Sequence, residues 1–184
     1  MTAMTMNRKL ELKDIAGYIP YGLYIAGKDN EYPQSGIVDG LTKFRDRVMV
    51  YCEDDGEACE FYMHEFFPVL RPLSDLYRTI IHNGKEIIPI IECLKISHER
   101  MRNAYGFEVD KIESNRIHFG YGSDNCDWVT FWYDAKECSF KSFWDVPNQY
   151  KLFDYLHELK LDYRGLVDAK LAVSCYDLET NPYK

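Results

Sequence analysis

From residue 106 to 145 the chain reads FEVDKIE, NRIHFGY, WVTFWYDA and SFKSFWD, four runs separated by Asn, Asp, Gly and Lys. Each run is dense in aromatic and β-branched residues, which suit a pleated, half-buried surface, and the polar breaks suit turns. The segment is therefore expected to fold as an antiparallel meander. Helical patterns flank it instead of alternating with it. Strands and helices in blocks indicate an α+β fold, mainly antiparallel sheet with about four helices, in a single domain spanning 1–184.

The flanks supply the remaining elements. Leu12, Ile15, Ala16 and Ile19 recur at helical spacing, and Pro20 ends that short helix. PYGLYIAG turns into a strand, the stretch 28–36 is loop, and IVDGLTKF pairs with RVMVYCED around a turn near Arg45 and Asp46. EFYMHEFFPVL reads as one strand ended by Arg71, because Pro72 cannot donate to a ladder. Ser74 is read as the N-cap of a helix with Leu76, Tyr77, Ile80 and Ile81 inward, closed by Asn83-Gly84. KEII is a short strand, and Pro89 opens a helix with Ile90, Ile91 and Leu94 inside, a strand through the same apolar run being the alternative. Asn148 caps a helix carrying Leu152, Phe153, Leu156 and Leu159, and a second helix over 166–171 completes a C-terminal helical pair. Residues 1–8 and 179–184 are expected to be flexible tails.

Charge narrows the function classes. Thirty acidic against 22 basic residues give a formal charge of −8, with no Lys/Arg run, so direct nucleic-acid binding is disfavoured. Fifteen tyrosines exceed what a core of this size requires, and some are expected at the surface, where they suit a protein partner. No segment has the apolar length of a membrane span or signal peptide, and the six cysteines are scattered, so free thiols in a reducing cytoplasm are expected.

Four stretches carry a family resemblance: LKDIAGYIPYGLYI, VLRPLSDL, IIPIIECLKI and LDYRGLVDAKLAVSCYDLETNPYK. They resemble a group of uncharacterised proteins of gut Bacteroidales and their phages and prophages. That family ends in a more aliphatic run where this chain has VSCYD. The resemblance implies a phage or mobile-element context and brings no catalytic residue and no cofactor with it.

The densest chemical cluster is CEDDGEACE, residues 52–60, followed by His64 and Glu65. Gly56 falls out of register for a calcium loop, which would start on Tyr51. Cys52, Cys59 and His64 are the candidate metal ligands. Their spacings of seven and five are not those of a zinc finger, and no fourth ligand is evident. A solvated, charged hairpin tip with Cys52 and Cys59 on or near strands is therefore the preferred reading, and no metal is assigned. HERMR lacks the second histidine of a zinc-protease helix, FGYGSDN lacks a following phosphate-binding helix, and Cys126 has no partner in sequence. No catalytic residue and no cofactor is assigned.

Two function classes remain. One is a non-enzymatic accessory protein that binds a host or phage protein through an acidic, tyrosine-rich surface. The other is a small enzyme or ligand- or metal-binding protein whose site is assembled from distant residues. A symmetric homodimer is a third reading.

Overall fold

Alternating apolar residues in SGIVDGL, RVMVYC and ACEFY build the first sheet. A computed structural model describes residues 8–28, 35–42, 46–52, 56–99, 102–103, 106–120, 128–143 and 145–184. Its contacts divide the chain into two compact units, Met1–Arg71 with Gly165–Pro182, and Pro72–Arg164 with Tyr183–Lys184. Sheets dominate and are mostly antiparallel, with three α-helices among the described residues.

The first unit holds helix α1 (Leu12–Ile15) and strands β1 (Tyr24–Gly27), β2 (Ser35–Leu41), β3 (Arg47–Cys52), β4 (Ala58–Tyr62) and β5 (Phe66–Leu70). A late strand, β12 (Val173–Ser174), joins them, and the order is β12-β5-β1-β2-β3-β4. Among the described strands, only β12 against β5 is parallel. Residues 63–65 alone connect β4 to β5, yet three strands lie between them in that order. A flat sheet would need about 19 Å there, beyond the roughly 14 Å that four extended residues reach. The sheet must therefore curl. Its inner face takes Ile25, Val38, Val48, Val50, Phe61 and Phe66, all buried, each contributing about 1.5–3 kcal/mol by leaving water.

The second unit begins with a 3-10 turn at Leu73–Tyr77 and a hairpin of β6 (Ile80–His82) and β7 (Lys85–Ile87). Helix α2 (Pro89–Ser97) follows, then β8 (Glu108–Glu113), β9 (Arg116–Gly120), β10 (Val129–Asp134), β11 (Ser139–Ser142) and helix α3 (Gln149–Glu158). The four strands form the expected antiparallel meander, in the order β11-β10-β9-β8. Ile117, Phe119, Val129, Phe131, Tyr133 and Phe140 share its buried face. Phe131 stacks on Phe140 at 5.4 Å, and Phe153 of α3 meets Phe140 edge-on at 6.0 Å. His98, just past α2, sets its ring against Phe119 and Phe131 at 5.6 and 5.9 Å. The Gln149 side-chain amide accepts from Phe140 N and donates to Phe140 O, at 3.0 and 2.7 Å, and so covers part of the β11 edge.

Several expectations are corrected. The helix placed over Asp75–Ile81 is a 3-10 turn followed by β6, and its N-cap is Pro72, not Ser74. Asn83 and Gly84 both take positive φ, 50° and 72°, which makes a two-residue hairpin turn where a helix end was read. EFYMHEFFPVL is two strands broken at Met63–Glu65, where Tyr62 N donates to the Glu65 carboxylate at 2.8 Å. The helix expected over 12–19 stops at Ile15 and gives way to a 3-10 turn at Ile19–Tyr21.

No C-terminal helical pair forms: residues 166–171 make turns, with Lys170 at φ 59° ending the first of them. Asn148 precedes α3 without a side-chain cap, because its own backbone is left-handed. Residues 181–183, expected in a tail, are half-buried, and Lys160 Nζ lies 5.6 Å from the Tyr183 ring. The turn near Arg45, the FGYGSDN loop beyond Gly120, Cys126 and the middle of HERMR lie outside the described residues.

Candidate functional site

The β3–β4 hairpin carries all three candidate ligands. Cys52 lies on the buried side of β3 with Val48 and Val50, fully enclosed, its Sγ 4.0 Å from Val50 O. Cys59 pairs across the ladder with Val50, so both thiols belong to the inner face. His64 is exposed in the turn at the other end of β4, its ring 5.4 Å from Tyr62, which faces the opposite side from Cys59. The hairpin thus brings two thiols to one face and leaves the imidazole apart. Residues 53–55 lie outside the described residues, and among the described ones no three His, Cys, Asp or Glu side chains are placed to hold a metal ion.

The outer face of the same strands is a different surface. Register places Tyr51 between Ile37 of β2 and Ala58 of β4, and Ile37 beside Tyr24 of β1. Tyr51 and Ile37 are 51% and 41% exposed, far above the exposure of their neighbours on the inner face. The next positions along the strands bring Met49 opposite Glu60, with exposed Asp39 in the β2 bulge. Arg47 closes the row. Its guanidinium donates to Glu60 at 3.0 Å and to the Tyr62 hydroxyl, and lies 4.1 Å from the centre of the Tyr62 ring. Gly36 makes this arrangement possible: a Cβ there would stand 2.2 Å from Tyr51 O. The result is an aromatic and aliphatic centre with acidic neighbours on the outer face of these strands.

Titratable groups of the second unit are held in structural roles. Burial pushes the Cys93 thiol well above the ordinary thiol range, so it stays protonated and inert. Burial holds the His98 imidazole below its ordinary range, and Ser97 Oγ lies 2.5 Å from its Nδ1. Burial and then Arg164 lower His157, whose Nε2 lies in hydrogen-bond contact with the Tyr163 hydroxyl at 2.8 Å. Among the described residues, an open groove of about 590 Å³ lies between α2 and α3. Lys95 and Lys151 line it together with Glu92, Asp154 and Tyr155. Glu92 already holds Lys95 at 2.6 Å, and burial, followed by the nearby negative groups, raises Tyr155 out of reach as an acid or base at neutral pH.

Sequence reasoning pointed to the hairpin and to surface tyrosines but did not assign Tyr51, Ile37, Asp39 or Glu60 to a shared outer face. Alternation in SGIVDGL and RVMVYC was the available signal. Which alternate set faces outward depends on the curl of the sheet, which no local pattern encodes. No protein-family model, no curated protein and no solved structure matches the chain.

Proposed function

We propose that the protein is a non-enzymatic accessory protein of a phage or mobile element that binds a host or phage protein through the outer face of β2, β3 and β4. The observation that supports this reading is the exposed Tyr51–Ile37 pair with Asp39 and Glu60 beside it. It lies in the unit that holds 15 acidic against 9 basic residues. A small desolvated aromatic centre can anchor a protein contact, and surrounding acids select and steer a partner with a basic rim.

The test is quantitative capture of partners from infected or lysogenic host lysate, with wild type and Tyr51→Ala compared on the same matrix. Tyr51 is exposed, so the variant keeps its fold. A true partner is expected to bind roughly 30-fold less tightly to Tyr51→Ala, as for an interface anchor worth about 2 kcal/mol. It should also weaken as salt rises. A partner held equally by Tyr51→Ala and by Asp39→Lys would remove this face from the interaction.

A further inference from the structure

The acid excess that argues against nucleic-acid binding is unevenly distributed. Residues of the second unit number 13 basic and 15 acidic, which leaves 9 basic and 15 acidic, and so −6 of the −8, on the first. Within the second unit, the helices pack against the inner face of the four-stranded sheet, through His98 and Phe153. Its outer face carries the alternate residues of each strand. Register aligns Trp132 with Lys141 on one side, and Arg116 follows on the other. Phe143 is 85% exposed and sits two residues past Lys141, and Trp128 is 54% exposed just before β10.

Trp132 on β10, with exposed Trp128 and Phe143 just beyond the strand ends, supplies aromatic surface for stacking, and a Phe so exposed is not explained by the core. Trp132 pairs with Lys141, and Phe143 follows the end of β11 by one residue, close to that pair in sequence. Both signs of charge stand beside these aromatics, and the cations include Arg116 and Lys141. Arg116 is directed over the Trp132 ring, 4.7 Å from its centre, while the opposing Glu113 carboxylate is held by Lys111 at 2.8 Å. Asp134, the acid on β10, has its carboxylate engaged by the N–H groups of Lys136 and Glu137 at 2.9 and 3.2 Å. Lys141 meets Glu137 at 2.5 Å on the surface, an exchangeable pair of the kind a phosphate displaces.

We propose that the outer face of β9, β10 and β11 binds single-stranded nucleic acid, with bases stacked on Trp132, Phe143 and Trp128 and phosphates on Arg116 and Lys141. An aromatic surface with cations set between the rings is complementary to a chain that alternates flat bases with anions. Duplexes hide the base faces and fit it less well.

The test is fluorescence anisotropy of labelled twelve-residue oligo-dT and oligo-rU with the full chain at low salt, against a duplex of equal length. Both single strands are expected to bind more tightly than the duplex. Their log affinity should fall with log salt at a slope of about −1.4, the value for two phosphate contacts. Phe143→Ala, at a position exposed enough to leave folding intact, should weaken binding at least about fivefold. Lys141→Gln should reduce the salt slope by about 0.7. Absence of binding overturns the proposal, as does binding that Phe143→Ala and Trp128→Ala both leave unchanged. Tryptophan quenching by chitohexaose or cellohexaose without oligonucleotide binding would make the face a carbohydrate surface and overturn it as well. Tyr51→Ala should leave oligonucleotide affinity unaltered, which keeps this outcome separate from the protein-partner reading.

Discussion

Both units are built on antiparallel meanders, yet they use the two faces of a sheet in opposite ways. In the first, an aliphatic inner face of Val38, Val48 and Val50 curls on itself, and the outer face combines Tyr51 and Ile37 with acids. In the second, the inner face is aromatic and meets helices, and the outer face combines aromatics with Arg116 and Lys141. Net charge is an average over the two, and it describes neither. An acidic total of −8 suits one surface and conceals the other.

The largest expected effect tests whether the two faces of the second sheet differ as described. Phe140 is buried against Phe131, Tyr133 and Phe153, and Phe140→Ala should cost about 3–5 kcal/mol through the cavity it leaves. Phe143→Ala, three residues on, should change stability by less than about 0.5 kcal/mol. Urea denaturation of both variants measures the contrast, and equal losses would show that Phe143 packs in a core.

Next in size is Gly36→Ala in the first unit, where the new methyl meets the Tyr51 carbonyl and not a yielding side chain. Separation of β2 from β3 should cost about 3 kcal/mol. All three tryptophans lie in the second unit, at 128, 132 and 144, so their emission reports that unit while far-ultraviolet dichroism reports both. A single cooperative domain predicts that both signals shift to the same lower midpoint. A tryptophan transition left in place while the dichroism splits would show that the units fold separately.

Legibility in the sequence followed the range of the forces involved. The meander was readable because cross-strand neighbours are also sequence neighbours, and Ser114-Asn115 close β8 to β9 in two residues. Helix α3 was readable from Leu152, Leu156 and Leu159, which lie buried on one stripe. Asn83-Gly84 was misread because left-handed residues end helices as well as hairpins, and Ile80 and Ile81 satisfy either pattern. The break at Met63–Glu65 was missed because its turn is closed by the Glu65 side chain, without Gly or Pro to mark it. Of the site, Cys52 and Cys59 were expected on or near the strands of a charged hairpin, and their shared inner face follows from β-sheet alternation. The outer faces were invisible, since which face remains open is decided by the curl of one sheet and by the helices on the other.

A smaller effect separates the units by pH. His98 and His157 are both in the second unit, and burial depresses both below the ordinary value of 6.5. The unfolded chain therefore binds their protons first as pH falls, so their contribution to stability is complete above about 6.5 and is lost progressively below it. The denaturation midpoint read by tryptophan should decline from pH 7 to pH 5, and His157→Gln should flatten part of that decline. Imidazole resonances that titrate at the ordinary value in the folded protein would contradict it.

The smallest effect compares two lysines. Lys160 and Lys170 both hold a left-handed backbone, at φ 57° and 59°, where a side chain costs energy and glycine does not. In the second unit Lys160 ends α3 with the two bonds of a glycine-type terminus, Leu161 N to Leu156 O at 3.0 Å and Lys160 N to His157 O at 3.0 Å. In the first unit Lys170 ends the turn that was expected to be a helix, with Leu171 N bonded to Leu166 O at 2.8 Å. Each Lys→Gly substitution relieves the same strain, but Lys160→Gly also gives up the 2.9 Å bond from Nζ to Glu158 O. Lys160→Gly should therefore stabilise by about 0.5 kcal/mol and Lys170→Gly by somewhat more, nearer 1 kcal/mol. That corresponds to roughly 1–4 °C in thermal midpoint for a chain of this length. A rise for Lys160→Gly with none for Lys170→Gly would reverse the order and show that the Lys170 side chain, and not its backbone, fixes the turn that replaces the second helix.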